Sequence, residues 1–190
     1  MRIFACGALF FIAGVSSVSA QAPTMQNEWD IHKTLDAIAL HAERLAPFVG
    51  QIHPENWIAA GAPQAYVSQA KTCQSELLAI AASARDLSRN PEKLTGALQL
   101  LFRIRTLETM LASLGEGLRK YQNPSMADML QGAVAEDAGN RDHLQQYSLE
   151  LAIAKEQECH VADEEAQRCR QSLSRQPVHG SALPAQQEKH

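Results

Sequence analysis

The sequence predicts an all-α fold, an antiparallel helical bundle of about four helices with a long C-terminal helix and a disordered tail. Helix formers (Ala, Leu, Gln, Glu, Arg) dominate, and no run of Val, Ile, Thr and aromatic residues marks a strand. Apolar residues recur in alternating steps of four and three, which places them on one stripe of a helix. Two Asn-Pro pairs, Asn90-Pro91 and Asn123-Pro124, read as N-cap plus first helical residue between such stretches.

Residues 1–20 read as a signal peptide. Arg2 supplies the positive start, Ile3 to Val15 is a nearly continuous apolar run, and Val18-Ser19-Ala20 is a small-residue cleavage site. The run is shorter than the roughly 20 apolar residues a membrane span needs. Polar Gln21 follows, and Cys6 lies too early in the run for lipidation. The expectation is therefore an exported chain, periplasmic or secreted. It would have a bundle domain over 21–175, a tail over 176–190 and no transmembrane segment after cleavage. A formal net charge of −4 argues against a nucleic-acid surface.

Helix one is predicted to start at Asn27, with Glu28 and Asp30 at the positive end of its dipole. Its stripe is Ile31, Leu35, Ile38, Ala42, Leu45, and Pro47 ends or kinks it. Residues 48–62 form the irregular stretch, with Phe48, Trp57 and Ile58 expected to plug one end of the bundle. Helix two runs from about Pro63 to Arg89 on the stripe Tyr66, Ala70, Cys73, Leu77, Ile80, Ala84, Leu87. Helix three is the most apolar, from Leu94 through Leu101, Leu107 and Leu114 to Tyr121, wide enough to touch two neighbours. Gly115 and Gly117 near its end either allow close helix approach or fray it.

Helix four follows Asn123-Pro124 through Met126, Leu130, Val134, Leu144, Tyr147, Leu151 and Ala154, with a break possible at Gly139-Asn140. It stays helix-prone to about Ser174 but turns polar beyond Lys155. At 1.5 Å per residue an unbroken helix four is roughly 75 Å long and helix three roughly 45 Å. Helix four would thus overhang its neighbour from near residue 154. Residues 176–190 lack the apolar content to offset the cost of ordering.

Three cysteines follow the signal segment. Cys73 sits on the helix-two stripe and reads as a small buried apolar residue. Cys159 and Cys169 cannot bridge within one straight helix, because ten residues span about 15 Å and disulfides rarely tolerate more than about 7 Å between Cα atoms. Cys159, Ala162, Ala166, Cys169 and Leu173 step three, four, three, four, a short coiled-coil seam offset from the main stripe. That seam suggests pairing with a second copy or another helix, with the cysteines able to lock it. A solvated polar helix with incidental thiols is the alternative.

Two trios carry metal-ligand residue types four apart: Glu28, His32, Asp36 and Glu156, His160, Glu164. Imidazole and carboxylates on one helix face can ligate a divalent ion, though such spacing is more often a hydrated face of ion pairs. The architecture resembles that of the cytochromes b562 and c′, and the resemblance stops there. Glu156 stands where a covalent haem site needs a first cysteine ahead of Cys159-His160. Met25, Met110, Met126, Met129 and His143 single out no axial pair. No Glu precedes a His by three positions, as di-iron bundles require. No nucleophile elbow or phosphate-cradling glycine loop appears. Arg103 and Arg105 within apolar helix three suggest that one forms a buried ion pair, with Glu108 or an acid on a neighbouring helix, or a small anion site. The alternative is that one snorkels at the edge of the face. The sequence thus implies no cofactor and no catalytic residue. It favours a non-enzymatic protein that binds a protein partner or itself, with a metal- or haem-binding bundle as the alternative.

Overall fold

The computed structural model describes the backbone of residues 25–175 and side chains from Ile31 onward. The expected signal peptide and tail lie outside the described residues, as does the side chain of Glu28. Five α-helices follow one another: α1 Met25–Gly50, α2 Ala65–Arg89, α3 Leu94–Tyr121, α4 Pro124–Ala135 and α5 Ala138–Arg175, with a short 3-10 helix at Pro54–Ala60. No strand occurs among the described residues. Helix α1 packs on α2, α2 on α3, α3 on α4 and α5, and α5 returns to α1. The result is an up-down-up-down bundle in which α4 and α5 together form the fourth wall.

The predicted stripe of α1 is buried throughout, and Val49 and Ile52 extend it. Pro47 therefore does not end the helix, which runs on to Gly50. Pro47 lies on the exposed face, where water can satisfy the carbonyl that its missing N–H leaves free. On α2, Ala70, Cys73, Leu77, Ile80, Ala84 and Leu87 are buried as their spacing predicts.

The end of the bundle is capped by an aromatic cluster rather than by the expected trio. Trp57 is 2% exposed, and its ring meets Tyr66 and Tyr121 at centroid distances of 5.6 and 6.3 Å. Its Nε1–H donates to Gln122 Oε1 at 2.9 Å. Phe48 is half-buried against the core, whereas Ile58 is exposed. Tyr66 and Tyr121 take that place because they approach from the adjoining ends of α2 and α3. Gly61, at φ 84°, ends the 3-10 helix in the left-handed region, where a side chain would be strained. Gly117 is the true close-approach glycine: a Cβ there would stand 2.8 Å from Trp57 Cζ3 and 3.0 Å from Tyr66 Cε1. Gly115 has no such neighbour, with Leu130 Cδ2 at 4.0 Å.

Asn90-Pro91 does not open α3. The Asn90 N–H closes α2 on Leu87 O at 2.9 Å, and Lys93 N–H returns to Asn90 O at 3.2 Å. The pair thus forms the turn, and α3 starts at Leu94. Asn123-Pro124 behaves as predicted, with Asn123 Oδ1 accepting from the Ser125 N–H at 2.9 Å. The interruption of the last wall falls at residues 136–137, not at Gly139, which is helical. It is shallow, since Glu136 keeps helical dihedrals of −56° and −31°. Asp137 Oδ1 accepts from Asn140 Nδ2 at 2.7 Å.

Helix α5 is held to the bundle by Leu144, Ser148 and Leu151. Ser148 is tolerated there because its hydroxyl donates to Leu144 O at 2.7 Å. From residue 156 to residue 175 every side chain is exposed. These twenty residues project roughly 30 Å beyond the bundle. None of the described helices is long and apolar enough to cross a membrane.

Candidate functional site

The projecting part of α5, residues 156–175, is called the arm below. The residues that bury α5 are Leu144, Ser148 and Leu151. Continuing from Leu151 in steps of four and three leads through Lys155 to Cys159, Ala162, Ala166, Cys169 and Leu173. The seam is thus not offset from the main stripe. It is the core-facing stripe of α5 carried past the end of the bundle, with nothing in the described chain to cover it. Leu173 is 68% exposed. Both arm cysteines are exposed and free.

Charge on the arm is divided along its length. Glu156, Glu158, Asp163, Glu164 and Glu165 occupy the half near the bundle, and Arg168, Arg170 and Arg175 the far half. Lys155 Nζ lies 2.9 Å from Glu158 Oε2, and Glu164 pairs at 3.4 Å with both His160 Nδ1 and an Arg168 guanidinium nitrogen. Hydrogen bonding by Glu158 raises the pKa of the Lys155 ammonium, against a smaller opposing effect of desolvation. Such solvated pairs add little to stability, because water screens them. They solubilise the arm and leave the seam clear.

Cys73 is chemically unlike the other two. It is fully buried among the α2 contacts, and burial pushes its thiol up to about 11. Because the folded state holds the neutral thiol more firmly than the unfolded chain does, this contribution to stability is present below about 9 and lost as pH rises towards 11. In reduced protein at pH 8, a thiol reagent should therefore label Cys159 and Cys169 promptly and Cys73 only after unfolding. Prompt labelling of all three would contradict this burial.

His32 and Asp36 of the first predicted trio meet groups on α2, and the side chain of Glu28 lies outside the described residues. His32 Nδ1 lies 3.1 Å from Ser88 Oγ on α2, and Asp36 contributes to the field around Arg85. In the second trio His160 and Glu164 pair with each other. Among the described residues no group of three or more His, Cys, Asp or Glu side chains is placed to hold a metal ion. His143 is taken up by Thr34 Oγ1, 2.8 Å away. Of the partners expected for the α3 arginines, the acid on a neighbouring helix is the one Arg103 takes, not Glu108. Arg103 reaches Glu76 at 3.4 Å and donates to Ser83 Oγ at 3.2 Å. Arg105 donates to Gln145, and Glu108 pairs with Arg141 of α5.

Three polar residues absent from the predicted stripes are buried: Thr34, Ser148 and His41. His41 is 9% exposed and lines a cavity of about 40 Å³ with Ile38, Leu77, Leu107 and the Glu108–Arg141 pair. That volume suits a water molecule or two and is far below the roughly 300 Å³ of small-molecule pockets. The signal was present in the spacing, since His41 lies three residues after Ile38 on the same face.

Comparison of the chain with protein-family models, curated proteins and solved structures finds no match.

Proposed function

We propose that this chain is a non-enzymatic, exported helical-bundle protein that works by binding, with the arm as its docking element for a helix of a protein partner. One observation carries the reading: the stripe that α5 uses to join its own bundle continues, uncovered, along the twenty residues of the arm. A lone helix in water gains little from its backbone hydrogen bonds and depends on packing of a face. The small residues Ala162 and Ala166 on that face permit close approach of another helix. Export follows the reading of residues 1–20, and an exported compartment that permits disulfides suits two exposed thiols.

A chain ended after Lys155 tests the reading. The truncated protein should melt within about 2 °C of the full chain, because the arm buries nothing in its own bundle. In extracts of cells producing each form, the full chain should run in an assembly heavier than its monomer, and the truncated chain as a monomer. A full chain at monomer mass in the extract, or an assembly that survives the truncation, would sink the docking role.

A further inference from the structure

Resting on the docking reading, we infer that the helix received by the arm is the arm of a second copy of this chain, lying antiparallel about a two-fold axis beside Glu164. Three features of the arm specify this.

The first is direction. The seam continues the face that α5 turns toward its own bundle. A parallel partner on that face would have to run its own residues 138–155 through the space filled by α1, α2 and α3. An antiparallel partner approaches from the far end and carries its bundle beyond residue 175. Sterics therefore admit only the antiparallel pair.

The second is register. The four inner seam positions, Cys159, Ala162, Ala166 and Cys169, read the same in both directions about Glu164, so the two-fold places Cys159 opposite Cys169 of the second copy and Ala162 opposite Ala166. Leu173 then covers the methylene stem of Lys155. In the same register Arg175 comes opposite Ile153, two residues beyond the last buried side chain, Leu151. The described part of the arm thus spans the free length of its partner.

The third is charge. Antiparallel pairing brings Glu156 of one arm beside Arg170 of the other, twice by symmetry. The opposing cost sits at the axis, where Asp163 and Glu165 each meet their own counterpart, so the reduced pair is weak. Covalent bonds offset that cost. Helices packed over small residues stand about 8–10 Å apart, and Cα atoms lie about 2.3 Å from each axis. Facing Cα atoms are then roughly 3.5–5.5 Å apart, overlapping the range of about 4.4–6.8 Å that disulfides accept. Each bond joins Cys159 Sγ to Cys169 Sγ of the other copy as the two thiols give up two protons and two electrons. A low-molecular-weight disulfide such as oxidised glutathione takes the electrons and leaves as two thiols.

The full chain, reduced and then exposed to oxidised glutathione, should give a dimer on a non-reducing gel with Cys159–Cys169 as the linked peptide. Cys159→Ser and Cys169→Ser should each cross-link at least tenfold more slowly, because neither retains a facing pair. Mixing the two variants should restore dimer, since one Cys169 then faces one Cys159. Fast dimerisation of either variant alone would overturn the register, and a monomer throughout would overturn the second copy as partner. The docking reading fails separately: it stands if the assembly in the extract still depends on the arm, and falls with the inference if it does not.

Discussion

Trp57→Ala should lower the unfolding free energy by about 3–5 kcal/mol, the range for removing a fully buried large aromatic side chain. Urea unfolding followed by circular dichroism would measure it, and thermal melting should fall by roughly 6–20 °C. The size of the loss follows from what the ring does. It closes one end of the bundle against Tyr66 and Tyr121 and holds the α3–α4 turn through Gln122. The chain has also been cut to fit it, because Gly117 leaves the space that the ring and Tyr66 occupy. Removing the indole therefore leaves a void beside a residue with no side chain to fill it. Gln122 loses a donor as well, although its exposed position lets water replace that bond. A loss under 1 kcal/mol would mean that the end of the bundle is held by something other than this cluster.

That cluster also shows where sequence legibility ends. The helices were legible because burial forces a period near 3.6, and Ile31 to Leu45 or Cys73 to Leu87 carry that period without interruption. The aromatic cap was not, since Trp57, Tyr66 and Tyr121 come from three separate elements and meet only through the topology. Of the two outcomes that Pro47 permits, the helix does not end there but continues to Gly50, because its exposed side lets water take up the released carbonyl. Asn90 closes α2 instead of capping α3, because an asparagine between two helices can end the first as readily as cap the second. Gly139 marks the neighbourhood of the interruption but not its position, which falls at residues 136–137.

For the arm, the heptad spacing was visible but its meaning was not. Tyr147 and Ala154 look like the natural continuation of Leu144 and Leu151, and they set the apparent stripe to one side. The structure buries Ser148 instead, a polar residue whose place in the core depends on a bond to the carbonyl of Leu144. No hydropathy pattern reports that bond. Once Ser148 is on the stripe, Lys155 and Cys159 follow in step and the seam joins the core face.

This continuity predicts that two leucines on one stripe of one helix behave in opposite ways. Leu144→Ala should cost about 2–5 kcal/mol, because Leu144 is fully buried and belongs to the apolar face that fixes α5 to the bundle. Leu173→Ala should change the stability of the reduced monomer by no more than about 0.5 kcal/mol, since most of its surface already faces water. The cross-linking yield should reverse the order. Leu173 lies in the seam, so its truncation removes apolar cover from Lys155 of the other copy and slows dimer formation. Leu144→Ala leaves the arm sequence intact, and at temperatures where the variant stays folded its arm should pair at the normal rate. Chemical unfolding of the two reduced variants, run beside their cross-linking rates, separates these outcomes. Equal stability losses would mean that the arm is already packed within its own chain, and the uncovered face on which both the docking role and the antiparallel pair depend would not exist.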